Sequence, residues 1–178
     1  MRAKKLSARF EAMAGFVCVG ERVADIGTDH AILPVYLVRE GISPFAILTD
    51  ISTGPLGKAR VAVDKARLAI ERAGGYDRGF DIRLGDGLSV LEEGEADTVI
   101  IAGIGAETII SILEADPGKA GGFGKYILQP RTRTALLEKW LDRSGWDIMT
   151  KTVAEERGRL CDIIVCAPKG GARKEGNQ

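Results

Sequence analysis

The segment VADIGTDHAILP, residues 23–34, sets Asp25, Gly27, Asp29 and His30, the only histidine of the chain, between apolar flanks. Three readings fit such a set: a phosphate-cradling turn, a metal or acid/base site, or a strand-to-helix corner that needs a glycine and a capping acid. A pyrophosphate requires the bare backbone of G-x-G-x-x-G, and here only Gly27 is available, with carboxylates where a diphosphate would be repelled. A cofactor with a cationic sulfonium, an α-amino group and no phosphate is better matched to Asp25 and the glycine turn. Asp29 and His30 stay open on their residue types alone: Asp29 could cap a helix beginning at Ala31, and His30 could be a polar helix-start residue rather than a base.

The elements that must position these groups follow from the hydrophobic pattern. Short apolar runs, RVADI (22–26), FAILT (45–49), FDIRL (80–84), ADTVIIAG (96–103) and KYILQ (125–129), alternate with helix-like segments at 31–40, 55–74, 106–116 and 133–145. This is the pattern of a parallel sheet covered by helices. The runs at 147–156 and 159–168 are separated by only Arg157 and Gly158, too short for a crossover helix, so they should pair antiparallel. The predicted fold is α/β: a Rossmann-like, mostly parallel, doubly wound sheet with an antiparallel terminal strand. That is the arrangement of class I S-adenosylmethionine-dependent methyltransferases.

In such sheets ligands bind beyond the carboxyl ends of the strands. The tips carry Asp25 to His30 after the first run, Asp50 and Ile51 after the second, and Gly85, Asp86 and Gly87 after the third. Ala102, Gly103 and Gly105 follow the fourth, and Gln129 and Pro130 the fifth. Asp50 stands where a carboxylate accepts both ribose hydroxyls of an adenosine cofactor. Asp86 is placed to accept from the exocyclic amine of its adenine. Each has a plainer reading as turn chemistry; their co-location at successive tips favours a cofactor site.

Composition sets the bounds. The 178 residues are 45% hydrophobic, enough for one core, and a single domain over 1–168 with a disordered polar tail at 169–178 is expected. Lys+Arg and Asp+Glu are 25 each, so nucleic-acid contact must be local. Cys18, Cys161 and Cys166 are odd in number and lack C-x-x-C spacing, which argues against disulfides or zinc and for a reducing cytoplasm. No apolar run reaches the roughly 18–20 residues of a membrane span, and the apolar positions after the basic start are interrupted by Arg9 and Glu11, unlike the uninterrupted core of a signal peptide.

LSARFEAMAGFV followed by VADIGTDHAILPVYL, then TDISTGPLGKA, RLGDGL, ADTVIIAGIGAETI, YILQPRT and a late EERGRLCDIIV resemble the bacterial tRNA (adenine(22)-N(1))-methyltransferases over most of residues 6–165. The resemblance implies a domain that binds S-adenosyl-L-methionine and methylates N1 of an adenine in tRNA, with no metal. It places the cofactor against Asp25, Gly27, Asp50, Ile51, Asp86, Gly87, Ala102 and Gly103, and the substrate against Asp29, His30, Gly105, Gln129 and Pro130. Ala106 replaces a glycine usual in the family, and Arg131 an asparagine. Family members also continue into a C-terminal helical, coiled-coil-like domain, so this sequence is expected to be either a short form or a truncated one.

Asp29 is the candidate to accept from the adenine N6 amino group, with His30 as a donor or orienting group. Arg2, Lys4, Lys5 and Arg9, with Arg131 and Arg133, form the available basic cluster for tRNA phosphates. The alternatives are a methyltransferase acting on another RNA site or a small molecule, a catalytically silent S-adenosylmethionine- and RNA-binding module, and, least favoured, an NAD oxidoreductase.

Overall fold

The computed structural model describes residues 6–28, 30–72 and 79–170. Residues 171–178 of the tail expected at 169–178, together with Arg2, Lys4, Lys5 and Asp29, lie outside them; Lys169 lies within, and its N–H donates to the Gly145 carbonyl at 2.9 Å. Seven strands form one sheet in the order β3-β2-β1-β4-β5-β7-β6: β1 (Val23–Ile26), β2 (Ala46–Asp50), β3 (Phe80–Leu84), β4 (Thr98–Ile104), β5 (Lys125–Pro130), β6 (Trp146–Glu156) and β7 (Arg159–Pro168). Strands β1 to β5 are parallel. The antiparallel β7 does not close the sheet at its edge. It inserts between β5 and β6, pairing antiparallel with both. Strand β6 therefore runs in the same direction as β1 to β5, and its carboxyl end lies at their carboxyl edge.

Strand side chains alternate between two layers, as a sheet covered on both faces requires. Val99, Ile101, Tyr126, Leu128, Ile164 and Cys166 join the core beneath α4 (Ala106–Ala115), α5 (Pro117–Gly121) and α6 (Thr134–Arg143). Ile100, Ile127, Ile163 and Val165 join the opposite core, under α1 (Ala8–Ala14), α2 (Ile32–Arg39) and α3 (Thr53–Arg72). Helix α3 shows how the sequence dictates this: Leu56, Ala59, Val63 and Ala66 recur at spacings of three and four and are its buried residues. Burying each larger aliphatic chain contributes about 1.5–3 kcal/mol. Tyr126 packs edge-on against Trp146, with ring centroids 4.9 Å apart, and donates its hydroxyl to the Ala120 carbonyl at 2.8 Å.

The helix after β1 starts at Ile32, one residue later than the sequence pattern suggests. Ala31 occupies its N-cap in a left-handed conformation (φ 53°), and no side chain caps the helix. Helices α1 and α5 were not read from the sequence. Among the described residues, no helix is long and apolar enough to cross a membrane.

Candidate functional site

The carboxyl ends of β1, β2, β4 and β5 open into a single cleft of about 1470 Å³. All eight residues expected to face a cofactor, Asp25, Gly27, Asp50, Ile51, Asp86, Gly87, Ala102 and Gly103, line it, as do His30, Gln129, Pro130, Arg131 and Arg9. Gly105 and Arg133 do not. Gly105 is the N-cap of α4, and the exposed Arg133 is ion-paired with Glu107.

Parallel register explains why the acids converge. Asp25 pairs with Leu48 and Ile26 with Thr49, so Asp50 follows on the adjacent strand at the same edge as Asp25. The chain then leaves β1 through Gly27, whose φ of 77° is costly for a residue with a Cβ. The N–H groups of Gly27 and Thr28 both donate to the Thr49 carbonyl at 2.9 Å, which fixes the turn against β2. Asp50 accepts from the Ser52 N–H at 2.8 Å, and its carbonyl accepts from Gly85 N–H at 3.0 Å, tying the tips of β2 and β3 together. Burial pushes the Asp25 carboxyl up to about 6, with Asp50 adding to the rise while Arg9 opposes it. A carboxylate held this reluctantly in its charged form gains most from a cationic ligand. Beside it, the Thr49 hydroxyl is buried without a hydrogen-bond partner among the described residues.

Strand β4 carries a further device. Its register with β5 shifts between Ala102, opposite Gln129, and Ile104, opposite Pro130, leaving Gly103 extruded at φ 79°. A parallel-strand bulge of this kind re-aims the backbone at a site rather than continuing the ladder. A Cβ on Gly103 would lie 3.8 Å from Arg9 Nη1, an ordinary contact, so the backbone angle rather than space demands glycine.

Arg9 is not presented as a free surface cation for phosphate. Its Nε donates to Glu156 Oε2 at 3.0 Å, its Nη1 donates to Gln129 Oε1 at 2.9 Å, and its guanidinium lies 4.3 Å from the centre of the Phe10 ring. Its side chain is 18% exposed. Because arginine can only donate, the Gln129 amide oxygen must face Arg9, and its nitrogen then donates to the Pro130 carbonyl at 2.9 Å. The expected basic cluster is thus divided: Arg9 is built into the cleft, Arg133 is paired with Glu107, and Arg131 stands exposed at the rim. Sequence reasoning missed Arg39, Glu156, Arg157, Arg159 and Leu160, all of which line the cleft. The available signal was the ERGR turn, which becomes informative only once β6 is known to run with the parallel strands. Among the described residues, no group of three or more His, Cys, Asp or Glu side chains is placed to hold a metal ion.

A family model described as a methyltransferase domain matches residues 6–164. The tRNA (adenine(22)-N(1))-methyltransferase of Bacillus subtilis is 35% identical over 165 residues, which are 93% of this chain and 66% of that protein. The chain therefore spans just under two thirds of that curated relative. The crystal structure of the B. subtilis M1A22 tRNA methyltransferase TrmK superposes with a TM-score of 0.81 at 34% identity, over 92% of this chain and 67% of that one. TrmK of M. capricolum, solved with S-adenosyl-homocysteine, gives a TM-score of 0.76 at 27% identity, over 96% and 74%.

Proposed function

We propose that this chain, which belongs to the methyltransferase-domain family and within it to the bacterial tRNA (adenine(22)-N(1))-methyltransferases, transfers a methyl group from S-adenosyl-L-methionine to N1 of adenine 22 in tRNA. The observation that carries this reading is the convergence of Asp25 and Asp50 beneath the Gly27 turn, in a cleft with room for more than a cofactor. Single-ligand sites are usually about 300–1,000 Å³, and this cleft is larger.

The residues present fit the cofactor. Asp25, raised by burial, suits an α-amino cation; Asp50, at the end of β2, suits the ribose hydroxyls; Asp86 suits the adenine amine. Gly27 and Gly103 offer backbone without side-chain obstruction, and the Thr49 hydroxyl is a buried polar group with bonding capacity to spare. When bound, S-adenosyl-L-methionine supplies an electrophilic methyl group.

The protein's part is positioning and charge stabilisation. Adenine N1 is a weak nucleophile whose lone pair is engaged in base pairing, so the base must be unpaired before it enters the cleft. Attack through N1 leaves positive charge on the ring. A carboxylate accepting from the N6 amino group raises electron density at N1 and stabilises that charge; Asp29, between Thr28 and His30 in sequence, is the candidate. Gln129, with its amide fixed by Arg9, and Pro130 form the wall on the β5 side. The exposed Arg131 at the rim contacts phosphate. The cytoplasm, where tRNA is found, is the compartment in which this activity is expected.

The test is transfer of tritium from methyl-labelled S-adenosyl-L-methionine to unmodified tRNA transcripts. Label is expected in tRNA; label in small metabolites but not in tRNA would overturn the reading.

A further inference from the structure

We infer that the β6–β7 turn, Arg157–Gly158, together with Arg159, is a phosphate-gripping finger that holds structured RNA at the mouth of the cleft; the inference rests on the proposed tRNA methylation. Three independent observations lead to it. Topology comes first: because β7 inserts between β5 and β6 and its pairing with β5 stops at Ile164, the β6–β7 hairpin runs on past the carboxyl edge of the sheet, and Arg157, Arg159 and Leu160 line the same cleft as Asp25.

Backbone chemistry comes second. The turn closes with just two residues between Glu156 and Arg159, both left-handed, Arg157 at φ 51° and Gly158 at φ 74°. Such turns favour Asn or Asp before Gly, since most side chains resist a positive φ. An arginine held there against its conformational preference is better accounted for by a ligand than by the turn. The third observation is availability. Arg157 and Arg159 are exposed, and neither makes an ion pair or hydrogen bond with another described residue, whereas Arg9, Arg22, Arg83 and Arg133 are all committed to carboxylates. Arg157 lies within electrostatic range of Glu156, whose carboxylate is already bonded by Arg9, and with Arg159 and the exposed Arg131 on the same cleft it concentrates guanidinium groups at one mouth of a chain with no net charge. Guanidinium forks bind phosphate oxygens in bidentate fashion. Leu160, 76% exposed directly after Arg159, offers an apolar surface to a ribose or base face between those contacts.

The partner this arrangement fits is a folded RNA whose backbone turns around the cleft while one base is presented to it. The experiment measures tRNA binding across a salt series for the wild-type chain, Arg157→Asn and Arg157→Ala/Arg159→Ala, alongside S-adenosyl-homocysteine binding by calorimetry and thermal unfolding. Arg157→Asn converts the turn to the preferred Asn-Gly pair, so its Tm should be equal or higher while tRNA affinity falls several-fold. In the double variant, affinity should fall at least tenfold, and the slope of log K against log salt should flatten by about 1.5–2. Cofactor-product binding should be unchanged in both. Wild-type protein that binds and methylates tRNA, with both variants showing the same affinity and slope, overturns the finger alone. Wild-type protein that binds no tRNA at any salt overturns the finger together with the function it rests on.

Discussion

Arg9 and Gln129, 120 residues apart in sequence, meet at 2.9 Å, and the same guanidinium holds Glu156 at 3.0 Å. One side chain from α1 thereby fixes the end of β6, the amide at the end of β5 and the neighbourhood of the Gly103 bulge. It also supplies the positive charge that moderates the rise in the Asp25 carboxyl.

Replacing Arg9 by Gln should destabilise the domain by about 1–3 kcal/mol in urea unfolding, because Glu156 and the buried Gln129 oxygen both lose a charged donor. Arg9→Lys should recover part of this, since a single ammonium cannot reproduce the fork. A double-mutant cycle with Glu156→Gln should give a coupling of about 0.5–3 kcal/mol; additivity would mean that the two residues act separately.

The Asp25 carboxyl titrates at about 6 in the folded chain, above the ordinary carboxylate range, because burial disfavours its charge. The folded state thus binds a proton more tightly than the unfolded state, and the stability of the free protein should fall as pH rises from about 4 to about 6, then level. Asp25→Asn should stabilise the free protein at pH 7 by on the order of 1–2 kcal/mol. Affinity for S-adenosyl-L-methionine should move the other way, improving as pH rises through about 6 in calorimetric titrations, and Asp25→Asn should abolish that improvement.

Gly103→Ala tests the bulge. Space is available for the methyl group, but φ 79° is not, so the variant should lose about 1 kcal/mol or more of stability and weaken cofactor binding. A Tm and affinity equal to wild type would show that the bulge can relax.

Asp29→Asn should bind S-adenosyl-L-methionine normally and methylate tRNA about 10²–10³-fold more slowly in single-turnover assays, the scale of one lost electrostatic contact to the reacting base. Full-rate methylation would remove Asp29 from the chemistry.

Much of the site was legible in the sequence because it is local to strand tips. Asp25, Gly27, Asp50, Asp86 and Gly103 each lie at or within two residues of the end of an apolar run, and a parallel sheet gathers such tips at one edge. What was not legible depends on non-local order. Nothing beside Arg9 in the sequence points to Gln129 or Glu156; its role appears only when α1 packs beside the end of β6. The Gly103 bulge exists because β4 and β5 slip by one residue, which neither strand reveals alone. Arg157 and Arg159 read as an ordinary hairpin turn until β7 is found between β5 and β6, which brings that turn to the cleft. The same insertion explains why the antiparallel strand is internal rather than at the sheet edge.

Site-resolved methylation tests the central claim most directly. A tRNA transcript incubated with the protein and S-adenosyl-L-methionine, then reverse-transcribed, should show a new stop at adenine 22, because N1 methylation blocks base pairing, and the stop should vanish when that adenine is replaced. Efficient methyl transfer with a stop at another position, or with no stop at all, would contradict the account.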